Sequence, residues 1–244
     1  MEVYEHRAEL CSETERFTDM IQAVRPIIEH STTALLPAHR ELIHAAYKGR
    51  VLASLRQYHR LEKLEAREWR EKYLLADYLA HIREEVRQTS REILDFIDYK
   101  FLVFEGSVEG VIFYQKIRGD YYRYMAEAGD CDAPALSSQS YLKAMDRVSQ
   151  LPSFHPTRLS LVLNYSVFHH DIKKDLREAT IIAKEGFDMA IKEVHVVEPR
   201  QYKEVMEYLD LIRDNIKLWK EERKVKDRAE AKAKHDLAQS AAMS

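Results

Sequence analysis

The spacing of apolar residues along the chain predicts helices almost throughout. Apolar side chains recur every three or four residues in segments such as 82–101 and 205–219, which is the period of one face of an α-helix. Residues 50–105 contain neither glycine nor proline, and neither does any position after Pro199. Uninterrupted stretches of that length are typical of helices. No strand pattern alternates with them, so the sequence predicts an all-α protein.

Interruptions of this pattern divide the chain into nine predicted helices. They lie at turn residues or at breaks in the apolar period, near Phe17, Pro37, Lys72, Gly106, Pro134, Pro152, Leu176 and Pro199. The connections are short, so we expect antiparallel neighbours. One helical domain is predicted to span residues 1–222.

Residues 223–244 are predicted to form a charged helical extension with a disordered end. The segment 220–236 holds seven basic and five acidic residues and almost no large apolar side chain. The simpler interpretation is a solvated helix that frays, and the alternative is a tail that folds back onto another surface. The last residues, 239–244, are expected to be disordered.

Composition narrows the class of protein. The 244 residues include 38 Lys and Arg against 41 Asp and Glu, and a net charge of −3 argues against a dedicated nucleic-acid binder. Two cysteines cannot build a disulfide framework. No apolar run is long enough to span a membrane, and no secretory signal is recognisable. We therefore expect a cytoplasmic protein with no membrane partner and no nucleic-acid partner.

Motifs of catalytic and metal sites are absent or incomplete. Neither a glycine-rich phosphate loop nor a nucleophile elbow can be written on the sequence. Glu41 and His44 form a Glu-x-x-His pair, but a di-iron bundle needs a second pair and two further glutamates. His169 and His170 would point about 100° apart on a helix, so they cannot easily share a metal. The sequence thus predicts no enzyme, no metal and no cofactor.

A charged stripe in the segment 113–127 is the strongest candidate for a binding site. On a helix, Lys116, Asp120, Arg123 and Glu127 lie on one face, so acids could hold the guanidinium of Arg123 in place. Tyr124 adds a hydroxyl donor beside it. The spacing by itself favours an ordinary solvated ion-pair face over a binding site.

Three motifs together resemble the 14-3-3 family. They are Gly-Asp-Tyr-Tyr-Arg-Tyr at 119–124, His-Pro-Thr-Arg-Leu-Ser-Leu-Val-Leu-Asn-Tyr-Ser-Val-Phe at 155–168 and Asp-Leu-Ile-Arg-Asp-Asn-Ile-Lys-Leu-Trp at 210–219. Ala-Tyr-Lys at 46–48 adds a fourth match, and the resemblance extends from about residue 15 to residue 219.

The resemblance implies a fold and a function. The expected protomer is a cup of helices with an amphipathic groove that binds phosphoserine or phosphothreonine peptides. The expected role is an adaptor that clamps or scaffolds phosphorylated client proteins. The alternative is a scaffold with a degenerate phosphate pocket that binds clients independently of phosphorylation. The family pairs through its N-terminal helices, which implies a homodimer or a heterodimer with a paralogue.

The same resemblance assigns residues to these roles. Lys48, Arg123 and Tyr124 match positions that contact the phosphate, where an arginine fork bonds bidentately and a lysine acts as a point charge. The positions that match the peptide groove are Lys116, Leu163, Asn164, Val167, Leu211, Asn215 and Leu218. The positions that match the dimer interface are Arg16, Asp19, Tyr78, His81 and Glu85, with Arg16 expected to pair with Glu85 and Asp19 with His81.

The third predicted helix departs from the family pattern. The family usually has arginines seven and eleven residues after the lysine, where this chain has Leu55 and His59, and Arg56 and Arg60 each lie one residue later. An extra residue near Gly49 could form a bulge that returns both arginines to the pocket. A regular helix would instead leave the pocket one arginine short. Arg56 is a phosphate ligand under the first alternative only.

Overall fold

A computed structural model describes residues 2–65 and 68–242, with side chains described as far as residue 229. Within these residues the chain forms nine α-helices and no strand, so the predicted all-α class is confirmed. The helices are α1 (Glu2–Glu13), α2 (Phe17–His30), α3 (Pro37–Glu62), α4 (Trp69–Phe96), α5 (Val108–Glu127), α6 (Ala133–Met145), α7 (Pro156–Asp171), α8 (Leu176–Glu193) and α9 (Pro199–Ala242). None of the described helices has the length and apolar content needed to cross a bilayer.

The end of α4 is irregular. A π-helical turn at Ile97–Phe101 follows it, and one more α-turn, Leu102–Phe104, completes the rod. Short 3₁₀ turns at Val148–Gln150 and Val194–Val196 follow α6 and α8. The π-turn lies far along the chain from Gly49, the position where the sequence suggested a bulge.

One predicted helix boundary was misplaced. The break expected near Lys72 lies earlier, between the end of α3 at Glu62 and the start of α4 at Trp69. A capping box starts α4, because the Glu68 side chain accepts from the third helical residue and Glu71 accepts from the Glu68 backbone N–H at 3.3 Å. Glutamate is an unusual residue for the first position of this motif, so the signal was not recognised in the sequence.

The chain packs as two compact units that divide between Val148 and Ser149. The first contains α1–α6 around a core in which Tyr47 and Tyr121 are fully buried. The second contains α7–α9, where Leu159 and Trp219 pack with a row of alanines on α8. The alanines of α8 are Ala179, Ala183 and Ala190, whose small side chains let the neighbouring helices approach closely.

The last helix extends well beyond the second core. It continues past Glu222 as one helix to Ala242. The backbone of residues 239–242 is helical, whereas the sequence predicted disorder there, and residues 243 and 244 lie outside the described part of the chain.

Candidate functional site

The charged stripe of α5 is buried, which an ordinary solvated face would not be. Lys116, Asp120 and Arg123 expose 7%, 1% and 9% of their surface. Charged groups are rarely this buried unless they are paired, because the loss of hydration costs several kcal/mol for each ion (order of magnitude). The stripe must therefore be held by specific partners.

Asp120 is the centre of these contacts. One carboxylate oxygen lies 3.1 Å from the Lys116 amine, and the other accepts a hydrogen bond of 2.6 Å from the hydroxyl of Tyr141 on α6. Burial alone would raise the pKa of Asp120, but Lys116, Arg123 and the Tyr141 hydrogen bond outweigh it and hold that pKa below its usual value. Asp120 therefore stays ionised and fixes the cations around it.

Arg123 is oriented by its neighbours on α5. Its guanidinium forms an ion pair with Glu127 and lies 4.7 Å from the centre of the Tyr124 ring. Its Nε is buried and makes no hydrogen bond to any residue that the structure describes. A guanidinium held in one orientation presents a planar fork, which is suited to a bidentate acceptor such as phosphate.

Lys48 supplies a cation from α3. Its side chain is half-buried, and it makes no ion pair with any described residue. Burial lowers the pKa of Lys48, and repulsion by Lys116 and Arg123 lowers it further. Lys48 is thus close enough to both cations to feel their charge, and an anion placed among the three would relieve the repulsion.

Tyr124 keeps a neutral hydroxyl at the same place. Only 3% of the residue is exposed, and burial followed by the charge of Asp120 raises the pKa of Tyr124 far above its ordinary value. The hydroxyl therefore remains protonated and can donate a hydrogen bond. Lys48, Arg123 and Tyr124, which the family resemblance grouped, belong to the same unit and lie on two helices that pack together.

Helix α3 is a regular α-helix from Pro37 to Glu62. The structure therefore has the regular helix and not the bulge with an extra residue near Gly49. Leu55 is 2% exposed and lies in the core, while Arg56 and Arg60 are exposed to solvent. Gly49 has a different explanation, since a side chain there would collide with the ring of Phe17.

His59 on α3 lies close to Glu127, the acid that pairs with Arg123. Its Nε2 lies 3.9 Å from Glu127, and its Nδ1 lies 3.2 Å from Glu62. Leu55, which stands where the family usually has an arginine, has no charge with which to pair Glu127. Glu127 is therefore shared between Arg123 and His59, and no second arginine contacts it among the described residues.

His44 lies beneath the cations of α3 and α5 and is neutral. Its ring stands edge-on to Phe113 and Tyr121, with centroids 6.2 and 6.0 Å away. Burial lowers the pKa of His44, and Lys116 and Lys48 lower it further. Across the residues with described side chains, no group of three or more His, Cys, Asp and Glu is arranged to hold a metal ion.

The predicted groove residues outside α5 belong to the second unit. Leu163, Asn164 and Val167 are partly exposed on α7, and Leu211 and Leu218 are 54% and 62% exposed on α9. Asn215 is partly exposed between these two leucines. Since α7 and α9 pack against each other, the unit presents apolar and amide side chains from both helices to solvent.

One histidine joins those two helices. His170 stacks on the Trp219 ring at 5.1 Å with the planes 15° apart, and its Nε2 lies 2.9 Å from Glu222. His169 instead stands edge-on to Tyr165, 4.8 Å away. The two neighbouring histidines therefore face different surroundings, as their helical spacing predicts.

The predicted dimer residues are paired within the single chain. Arg16 lies 2.5 Å from Asp19, and His81 lies 3.6 Å from Glu85. Glu85 also accepts hydrogen bonds from Arg50 and Ser54 at 3.0 and 3.1 Å. Tyr78 is 56% exposed beside His81.

Comparison with known proteins decides the family. A family model described as 14-3-3 protein matches residues 7–220. The chain belongs to the 14-3-3 family. It is 33% identical to 14-3-3 protein I of Plasmodium falciparum in an alignment of 228 residues that covers 88% of this chain and 87% of that protein. It is 33% identical to 14-3-3-like protein 1 of Caenorhabditis elegans over 226 residues, covering 87% and 88% of the two chains. It is 34% identical to 14-3-3 protein 2 of Entamoeba histolytica over 221 residues, covering 87% and 92%.

Family membership gives the general role. Proteins of the 14-3-3 family are adaptors and scaffolds for client proteins rather than enzymes, and they form dimers.

Sequence reasoning missed two residues that support this site. Tyr141 anchors Asp120, and Ser137 donates a hydrogen bond of 2.8 Å to the carbonyl of Gly119. Both lie on the next helix in the chain, α6. No local spacing rule relates them to the charged stripe on α5. The small residue Gly119 was the available hint, since it allows α6 to lie against α5.

Proposed function

We propose that the protein is a phosphopeptide-binding adaptor that holds phosphoserine or phosphothreonine segments of client proteins at Lys48, Arg123 and Tyr124. The observation that carries the proposal is a half-buried lysine without an ion-pair partner among the described residues, next to a guanidinium that is already oriented. Rigid cations of this kind suit a phosphate ester, which carries about −1.5 to −2 charges and strong acceptor oxygens.

Each residue has a distinct part in this proposal. Arg123 offers a planar fork for two phosphate oxygens, Lys48 offers a point charge, and Tyr124 donates one neutral hydrogen bond. Lys116 is held by Asp120, so it adds to the local potential without needing to touch the ligand. Asn164 and Asn215 are proposed to bond the client backbone, and the exposed leucines of α9 to contact its apolar side chains.

A second candidate function has its own observation. Leu55 occupies a position where the family usually has a pocket arginine, and Glu127 already neutralises Arg123. A pocket with fewer free cations would bind phosphate weakly, and clients would then be held through apolar contacts on α7 and α9. That protein would be a scaffold whose binding does not depend on phosphorylation.

Fluorescence polarisation with one peptide in two forms separates the candidates. We expect a labelled phosphoserine peptide without acidic flanking residues to bind, and its unphosphorylated form to bind at least about tenfold more weakly, which is ~1.4 kcal/mol. Equal binding of the two forms would establish the phosphorylation-independent scaffold and reject the phosphopeptide adaptor.

Two variants test the residues of the site, and a third serves as the control. Arg123→Ala should weaken phosphopeptide binding most, since a hydrogen bond to a charged group contributes roughly 1.5–3 kcal/mol. Lys48→Ala should cost less because lysine lacks a fork. Arg56→Ala serves as the matched control on α3 and should leave binding within about twofold, since Arg56 is exposed on a regular helix. A larger loss from Arg56→Ala than from Arg123→Ala would contradict the assignment.

A further inference from the structure

The exposed side of α3 carries three cations in a row. Arg56, Arg60 and Lys63 follow one another at spacings of four and three residues and are all exposed. Together with Ala53, Gln57 and His59 they line an open depression of about 520 Å³. We call these three residues the basic face of α3. From Arg56 to Lys63 the helix rises about 10 Å along its axis.

None of the three residues of the basic face forms an ion pair within the described part of the chain. The neighbouring acid Glu62 is engaged by His59 at 3.2 Å. Some other exposed cations, such as Lys184 and Arg213, pair with an acid on their own helix. Like charges three or four residues apart destabilise a helix, and an anionic ligand would offset that repulsion.

The spacing of the face fits an extended acidic segment. Residues four apart on an α-helix are separated by about 6 Å along its axis. Alternate residues of an extended peptide are separated by about 6.5 Å and point to the same side. Two carboxylates at alternate positions can therefore meet Arg56 and Arg60 together, and Lys63 lies beyond them for a third.

We propose that the basic face of α3 binds an acidic segment of a partner polypeptide, in which negatively charged residues occupy alternate positions. The site uses none of the residues of the phosphate site and does not depend on a phosphate group. It also differs in charge balance, because Asp120 and Glu127 neutralise Lys116 and Arg123 whereas nothing described neutralises Arg56, Arg60 and Lys63. The net charge of −3 makes a nucleic acid a poorer match than a short acidic peptide.

Fluorescence polarisation with a labelled peptide of alternating glutamate and glycine tests the proposal. The wild-type protein should bind it, and the same peptide with glutamine in place of glutamate should bind at least about tenfold more weakly. Binding should weaken as salt is raised, since exposed charges are screened over about 10 Å at 0.1 M ionic strength.

A pair of double variants locates the site. Arg56→Gln with Arg60→Gln should weaken binding of the glutamate peptide by about tenfold or more. The matched control is Lys143→Gln with Arg147→Gln, which removes the same charge from two exposed cations four residues apart near the end of α6, neither of which pairs with a described acid. The control should change affinity by less than about twofold, and so should Arg123→Ala.

The outcomes separate this proposal from the proposed function. Failure of the wild-type protein to bind the glutamate peptide, or an equal loss in both double variants, would overturn the basic face as a binding site. Loss of glutamate-peptide binding in Arg123→Ala would overturn it too, by moving that peptide to the phosphate site. Phosphopeptide binding is measured separately, so either site can fail while the other stands.

Discussion

At the scale of single residues, Asp120 is a buried side chain that positions the cations of the proposed site without reaching the ligand. It is 1% exposed, so its effect on a bound phosphate would pass through Lys116 and Arg123. Burying the charges of this network costs hydration free energy. The hydrogen bond from Tyr141 and the ion pair with Lys116 offset that cost. A buried ion pair of this kind holds a geometry more than it adds stability.

His170 provides a prediction at the same scale. Burial opposes its protonation, but the hydrogen bonds to Glu222 and Asp171 outweigh burial and raise the pKa of His170 above its ordinary value. Protonation therefore stabilises the fold below the ordinary histidine pKa of about 6.5, and the contribution is lost as pH rises through the folded-state pKa. We expect Trp219 fluorescence, which a protonated stacked imidazole quenches, to increase on that rise.

Replacing Trp69 with phenylalanine isolates the Trp219 signal, because the chain has two tryptophans and Trp69 is 73% exposed. In that background His170→Gln should remove the fluorescence step. Glu222→Gln should move the step to lower pH. An unchanged midpoint in Glu222→Gln would mean that the contact between His170 and Glu222 does not set the titration.

At the scale of elements, the contact of α5 with α6 decides whether the charged network can form. A Cβ on Gly119 would lie 2.6 Å from the Tyr141 ring, and that ring is completely buried. We expect Gly119→Ala to destabilise the protein by about 1–3 kcal/mol, because a buried aromatic ring cannot shift without displacing its neighbours. The midpoint of urea unfolding, at constant slope, measures the change.

Gly106→Ala is the matched control for that experiment. Its Cβ would meet no atom within 4 Å, so the urea midpoint should hardly change. The Gly119 variant should also lose phosphopeptide affinity, since Tyr141 could no longer hold Asp120. Equal effects of the two substitutions on stability would show that the close approach of α5 and α6 is not tightly packed.

At the scale of the whole molecule, the proposed dimer would exchange ion pairs rather than create them. Arg16 with Asp19, and His81 with Glu85, are already paired within one chain. Pairing Arg16 with Glu85 and Asp19 with His81 across a two-fold axis uses the same four residues. An exposed ion pair contributes ~0–1 kcal/mol, so burial of apolar surface such as Tyr78 must supply most of the association energy.

We therefore expect Tyr78→Asp to dissociate the dimer and Arg16→Ala to weaken it only slightly. Light scattering at micromolar protein concentration measures both. Tyr99→Asp is the control, since Tyr99 is 82% exposed and lies about 30 Å further along the same rod of helix. A monomeric wild-type protein, or dissociation by Tyr99→Asp to the same extent, would contradict the proposed interface.

The local sequence pattern was sufficient to predict the helices of the chain. Apolar spacing, together with glycine and proline positions, predicted the all-α class, and most helix boundaries followed from turn residues that act within a few positions. The stripe of Lys116, Asp120, Arg123 and Glu127 was equally predictable, because a helix brings residues three and four apart onto one face wherever it lies.

Contacts between segments far apart in the chain could not be predicted from the local pattern. Whether the stripe was buried or solvated depended on α3 and α6 packing against α5, and Tyr141 reaches Asp120 only through that packing. The two alternatives for α3 were likewise resolved by the core, which accepts Leu55 and leaves Arg56 and Arg60 outside. Helical periodicity is a local property of the backbone, whereas burial, and with it the pKa and pairing of each charge, is set by whatever the rest of the chain places next to it.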